Sequence, residues 1–276
     1  MSRNRTLAGE IQQVRLTRSA ACCNRSYFYP FYSLLASPNR ELKMPRSRLC
    51  FTVLAFLALP LAAQETPSDA VTEPSSGVPF PRQITPPGGT QIHRLMGTAI
   101  RTKTFLKVKV YAFGLYVDPD AARSTLGAFM DKSASTLERD EGFYDRILDM
   151  EFGMTLRLVM TRDVGGEDMA DAFDGALRPR VQRAADEMDM QGGESALEQF
   201  RSYFSLDEMT KGAEIVFSCT PMGRLQTLLK GASQPAIESP ALCWALFDVY
   251  LGDKPISGDG KKRVIAGFPQ ILVSGT

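Results

Sequence analysis

Hydrophobic and polar positions alternate most clearly from Phe105 to Val117, where Leu106, Val108, Val110 and Ala112 take one side and Lys107, Lys109, Tyr111 and Phe113 the other. A period of two marks a strand. The β-branched and aromatic content from Gln91 to Arg101 predicts a second strand beside it, after a first extended segment around Val78 to Ile84. From Leu148 to Met160, Met150, Phe152, Met154, Leu156 and Leu158 alternate with Asp149, Glu151, Thr155 and Arg157, which predicts another strand with an apolar core face. Residues 214–219 and 223–230 read as an antiparallel pair around the turn Thr220-Pro221-Met222.

Between these strands the period lengthens. A helix is expected from Asp120 with Leu126, Phe129 and Met130 inward. The longest helix opens after Gly165-Gly166, with Glu167 and Asp168 in its first turn, where the helix dipole favours acids. Met169, Ala172, Phe173, Ala176 and Leu177 form its apolar stripe, and Pro179 is expected to break or kink it. Val181, Ala184 and Met188 continue it, and a short helix carries Leu197, Phe200 and Phe204. Ser239 as N-cap and Pro240 in the first position start a helix that runs to Leu251 and ends at Gly252. Paired strands with clustered helices, and no regular βαβ alternation, predict an α+β fold with a large antiparallel sheet packed against a layer of helices.

One apolar run fits neither period. Leu49 to Leu61 is 13 residues, short for a membrane span, and it follows the basic Met44-Pro45-Arg46-Ser47-Arg48 and precedes the small Ala62 and Ala63. This predicts a cleavable signal over residues 44–63, a Pro/Ser-rich linker over 64–87 and a working domain over 88–276. Residues 1–43 read as a non-native or untranslated extension, with Met44 as the true start. The protein is thus expected to be periplasmic or secreted, with no stable membrane insertion after cleavage.

Removal of that leader changes the charge and the cysteine count. Residues 1–63 carry 9 Lys/Arg against 2 Asp/Glu, which leaves 23 against 29 and a net charge of −6 on the remainder. An acidic domain makes a poor partner for nucleic acid. Of five cysteines only Cys219 and Cys243 remain. An oxidising compartment permits them to pair, and sequence leaves open whether they do or are two core thiols.

Candidate chemistry is narrowed by what is missing. His93 is the one histidine, too few parts for a His-rich zinc site or most Ser/His/Asp schemes, and it reads better as a strand residue than as a base. Gly258-Asp259-Gly260-Lys261-Lys262 lacks the spacing of a phosphate loop. Neither a metal nor a cofactor is expected.

The segment from Gly97 through Arg101 and Tyr111 to Val117 resembles the signature hairpin of the chalcone-isomerase-like family. Phe80-Pro81, the helix from Gly165 to Pro179, Lys211-Gly212 through Cys219, and Ala241 to Leu251 with Gly252 extend the resemblance in order. It implies an open-faced β-sandwich with an apolar cleft between sheet and helices. It also implies one of two activities, ring closure of chalcones or fatty-acid binding. The isomerases carry a threonine where Tyr111 stands here, and a tyrosine and an asparagine seven residues apart at places that fall near Asp168 and Gly175. Arg101 and Tyr111 instead match the arginine and tyrosine that hold the carboxylate in the fatty-acid-binding members. The resemblance therefore implies a non-catalytic, fatty-acid-binding-like protein of a bacterial exported type.

Chemically the pair is apt, because a guanidinium gives a carboxylate two parallel charge-assisted hydrogen bonds and a phenol adds one without charge. Burying a long acyl tail at about 0.8 kcal/mol per methylene offers a gross gain near ~10 kcal/mol. Geometry sets a condition: ten residues of continuous strand would separate Arg101 and Tyr111 by about 33 Å. They share a ligand only if the chain reverses between them, near Leu106. Two other functions stay open, an intramolecular lyase in which Arg101 polarises the substrate oxygens and Tyr111 acts as acid or base, and an interaction module with a filled cleft. A plainer reading leaves Arg101 as a strand-end arginine paired with an acid, Tyr111 and Tyr116 as sheet aromatics, and Arg178-Pro179-Arg180 as a solvated turn.

Overall fold

The computed structural model describes residues 69–103, 108–204 and 208–273. The expected signal and the extension before it lie outside these residues. Strands β1 (Ala70–Thr72) and β2 (Pro79–Pro81) form a small antiparallel pair, so the tether reading of residues 64–87 is corrected: ordered pairing already begins at Ala70. Glu73 fixes the intervening turn by accepting from the backbone N–H groups of Ser75 and Ser76.

The main sheet has eight strands. Its path runs β10 (Ile237–Glu238), β8 (Arg224–Leu229), β7 (Glu214–Cys219), β6 (Met154–Met160), β5 (Val108–Val117), β4 (His93–Lys103) and β3 (Gln83–Ile84), with β9 (Ala232–Ser233) also on β8. Every pairing is antiparallel. One face presents Phe113, Leu115 and Val117 of β5, Met154, Leu156 and Leu158 of β6, and Ile215 and Phe217 of β7 to the helices, and this is the main core. The opposite face carries a smaller cluster of Phe80, Leu95, Ala112, Tyr116 and Val159.

The helices are α1 (Pro119–Thr125), α2 (Ala134–Leu137), α3 (Glu141–Leu148), α4 (Gly166–Met188), α5 (Glu194–Ser202), α6 (Pro240–Leu251) and α7 (Gly258–Ile265). Asp118 caps α1 by accepting from the N–H groups of Asp120 and Ala121. Ser239 caps α6 by accepting from Leu242 N–H, in agreement with the start signal. α6 is buried from Ala241 to Leu251, which makes it the central helix of the layer, and it packs against α3, α4, α7 and β8. A disulfide joins its Cys243 to Cys219 of β7. α7 lies directly on β4: a Cβ at Gly97 would sit 2.5 Å from the Arg263 carbonyl oxygen, so only glycine admits this approach.

Two expectations change here. The strand expected over residues 148–160 begins only at Met154, because Glu141–Leu148 is helical and Met150 turns the chain with φ of 56°. Met150 and Phe152 are buried all the same, so the alternation is real but spans a bend. Arg178-Pro179-Arg180 is not a solvated turn but part of α4, which continues through Pro179 for 23 residues. Pro179 and Gly175, whose carbonyl loses its partner, both face solvent, where water can take up that carbonyl. Arg180 reaches inward instead: its Nε donates to Asp248 at 2.7 Å, its Nη1 to the Ala176 carbonyl at 2.7 Å and its Nη2 to the Lys254 carbonyl at 2.8 Å. Arg183 also donates to Asp248, at 3.0 Å, with its guanidinium 4.8 Å from the Trp244 ring.

Candidate functional site

The β4–β5 hairpin meets the geometric condition. Arg101 pairs directly with Tyr111 and Lys103 with Val108 in antiparallel register, and the turn expected near Leu106 lies outside the described residues. Directly opposed residues share a face of the sheet, and this one faces the helices. A bulge between Arg101 and Thr102 ends the regular register at that point. Arg101 Nη1 donates to Tyr111 Oη at 3.2 Å, and its guanidinium stands 5.6 Å from the ring centroid. Tyr111 Oη is in turn 2.9 Å from Tyr250 Oη, contributed by α6.

Beside this trio is a cavity of about 300 Å³ between the hairpin and the start of α4. Val108 and Val110 form its sheet wall, while Met169, Ala172 and Phe173 form its helix wall. Arg101 and Tyr111 line it as well, so a cation and a phenol meet an otherwise apolar space. Exposed Lys103 and Arg162 stand at its edge with Asp163 and Asp168. Asp163 is partly occupied by the N–H of Lys211, which donates to it at 2.6 Å. The first turn of α4 borders the same space, adding the positive end of a helix dipole.

Electrostatics favour an anion at Arg101. Burial works against its charge, but the oxygens of Tyr111 and Tyr250 outweigh that and hold its pKa above the ordinary value. Burial pushes the Tyr250 phenol well up, reinforced by Tyr111, so it remains a neutral hydroxyl at any physiological pH. Among the described residues there is no group of three or more His, Cys, Asp or Glu able to hold a metal.

Of the two places matched to the isomerases' helix pair, Asp168 edges the cavity, whereas Gly175 is exposed and does not line it. Tyr116 points to the opposite face of the sheet and takes no part. Tyr250, Lys103 and Arg162 were not evident from the sequence. Asp248 and Tyr250 are the polar tips in the apolar run of α6, and that of Tyr250 is the one hint of its role.

His93 lies elsewhere, buried at 4% exposure on the face away from the cleft. Thr155 Oγ1 donates to Ser218 Oγ at 3.1 Å and sits 2.9 Å from His93 Nδ1. A hydroxyl has one hydrogen to give, so His93 Nδ1 is the donor to Thr155. Burial lowers the His93 pKa to about 4, against a smaller opposing pull from Asp118. An unfolded histidine takes up its proton near pH 6.5, so stability present above that pH is lost as the pH falls toward 4. The loss is up to about 3 kcal/mol. Urea denaturation at pH 7 and pH 4.5 should show a smaller acid loss for His93→Gln than for the unsubstituted protein. Equal losses would show that His93 is not the buried neutral group.

Comparison with known proteins follows the same lines. A family model described as chalcone isomerase like matches residues 91–265. Fatty-acid-binding protein 2 of Arabidopsis thaliana is 31% identical over 199 residues, a match covering 70% of this chain and 49% of that protein. The chain thus spans about half the length of that relative. A chalcone–flavanone isomerase of Oryza sativa subsp. japonica is 29% identical over 207 residues, covering 71% of this chain and 88% of the isomerase. The fold is similar to that of a crystal structure of an Arabidopsis thaliana fatty-acid binding protein, with a TM-score of 0.62 and 24% identity over 74% of this chain and 98% of the other.

Proposed function

This chain belongs to the chalcone isomerase-like family, and on that premise we propose that its cleft binds a fatty acid or similar apolar carboxylate without chemical turnover. The carrying observation is the direct pairing of Arg101 with Tyr111 at the wall of an apolar cavity. Guanidinium and phenol hold the carboxylate, and the aliphatic walls take the tail. The relatives named as fatty-acid-binding proteins support the same reading.

Cavity size limits the ligand. At roughly 30 Å³ per water-sized group, the space holds about ten such groups, a carboxylate and some seven or eight methylenes. Across a series of straight-chain acids, affinity should rise about fourfold per methylene while carbons enter the cavity. It should flatten beyond octanoate to decanoate, when added carbons extend into the mouth. Calorimetric titration of the series tests this; affinity independent of chain length would remove the cleft from the account.

A second reading, an intramolecular lyase, has Arg101 in its favour and the isomerase relatives beside it. Tyr111 and Asp168 stand where its other groups would be expected, and Gly175 offers no side chain. Turnover of a chalcone to the flavanone above the spontaneous rate would favour the lyase; its absence together with tight acid binding favours the carrier. We further propose that the carrier works in the periplasm or outside the cell. The basic, apolar and small-residue pattern of residues 44–63 supports this, as does the Cys219–Cys243 bridge, a linkage suited to an oxidising compartment. Amino-terminal sequencing of exported protein should begin near Gln64; peptides from residues 1–43 in the mature protein would contradict it.

A further inference from the structure

We infer that Tyr250 is a positioning residue for the ligand's head group: it donates its hydroxyl hydrogen to Tyr111 and so commits the hydrogen of Tyr111 to the cleft. The inference rests on the carboxylate-binding reading and adds what sets the direction of the donor. It follows from counting hydrogens in the chain Arg101, Tyr111, Tyr250.

A phenol has one hydrogen and can accept two hydrogen bonds, whereas a guanidinium only donates. Tyr111 Oη therefore accepts from Arg101 Nη1, 3.2 Å away. Its second neighbour, Tyr250 Oη at 2.9 Å, is geometrically able to give or receive. Burial decides which. Tyr250 is 2% exposed, and Tyr111 is the hydrogen-bond partner of its hydroxyl. Were Tyr111 the donor, the Tyr250 hydrogen would be buried with no acceptor among the described residues, the arrangement folded proteins avoid. With Tyr250 as donor, every buried hydrogen of the pair is used. The hydrogen of Tyr111 then has the cavity that Tyr111 lines as its remaining direction.

The consequence is a head-group pair made of donors alone, with the carboxylates of Asp163 and Asp168 standing apart at the cavity's exposed edge. Arg101 offers N–H groups and Tyr111 an O–H, polarised by two accepted hydrogen bonds, one of them from a cation. A carboxylate brings acceptors alone and satisfies such a pair completely. An alcohol of the same length brings a hydrogen that finds no acceptor on Arg101 or on Tyr111, whose oxygen already accepts twice. Tyr250 thus helps the cleft select an anionic head group over a neutral one, acting from α6 without lining the cavity. Its ring is held edge-on to Phe113 at 4.9 Å, which keeps the hydroxyl in register with the hairpin.

The test is a double-mutant cycle read by calorimetry on the full chain, with decanoate and decan-1-ol as probes. Tyr250→Phe should weaken decanoate about fivefold and leave decan-1-ol unchanged. In a Tyr111→Phe background the same substitution should cost nothing further, because its effect passes through Tyr111. Equal weakening of both probes, or an undiminished loss in the double variant, would overturn the assignment. No decanoate binding by the unsubstituted protein would overturn the carboxylate reading itself, and the inference with it. A second measurement needs no variant: on adding decanoate, the hydroxyl proton resonance of Tyr111 should move downfield more than that of Tyr250. The opposite order would show the hydrogen bond running the other way.

Discussion

Arg101→Ala should lower decanoate affinity by about a hundredfold or more, because each charge-assisted hydrogen bond contributes roughly 1.5–3 kcal/mol and a guanidinium supplies two. Truncation also leaves a carboxylate among Val110, Met169 and Phe173 without a counter-charge, which adds to the loss. Arg101→Lys should recover only part of the affinity, since an ammonium is a point charge that cannot match both oxygens in one plane. Calorimetry at fixed ionic strength checks the affinity. Unchanged binding by Arg101→Ala would move the head group away from the hairpin.

Asp248→Ala should destabilise the fold by about 3–5 kcal/mol, the cost of removing one partner from a buried ion pair. The Asp248 side chain is 6% exposed and serves both Arg180 and Arg183. Arg183, at 40% exposure, can turn to water, but Arg180, at 16%, stays confined by its bonds to the Ala176 and Lys254 carbonyls. Most of the loss should therefore arise at Arg180, and pairing Asp248→Leu with Arg180→Met should restore a large part of it. Urea denaturation curves measure both. A loss below about 0.5 kcal/mol would mean the pair is effectively solvated. The same helix carries Tyr250 and Cys243, so a looser α6 also reaches the cleft.

Much of this architecture was legible because local signals agreed with the final packing. The alternation through β5, the N-cap and proline of α6 and the acidic first turn of α4 each named an element that formed where expected. Arg101 and Tyr111 were legible as a pair only under a condition on the turn, and the observed register satisfies it. Failures came where one local pattern served two structures. Alternation through Met150 and Phe152 looked like strand, yet it runs across a bend that follows α3. Arg178-Pro179-Arg180 looked like a solvated turn, yet α4 runs on through Pro179, which lies on its exposed side, and Arg180 turns inward to Asp248. Tyr250 was hidden for a different reason. α6 is buried along its length and its polar tips, Asp248 and Tyr250, stand among apolar residues, so no polar face shows the direction of its tyrosine.

A crystal structure with decanoate tests the central claim most directly. The carboxylate oxygens should lie within hydrogen-bond distance of the Arg101 guanidinium and Tyr111 Oη, with the chain between Val108, Val110 and Phe173 and its far end toward the mouth. A chain bound with its carboxylate in solvent and Arg101 unengaged, or density for decanoate only outside this cleft, would contradict the account.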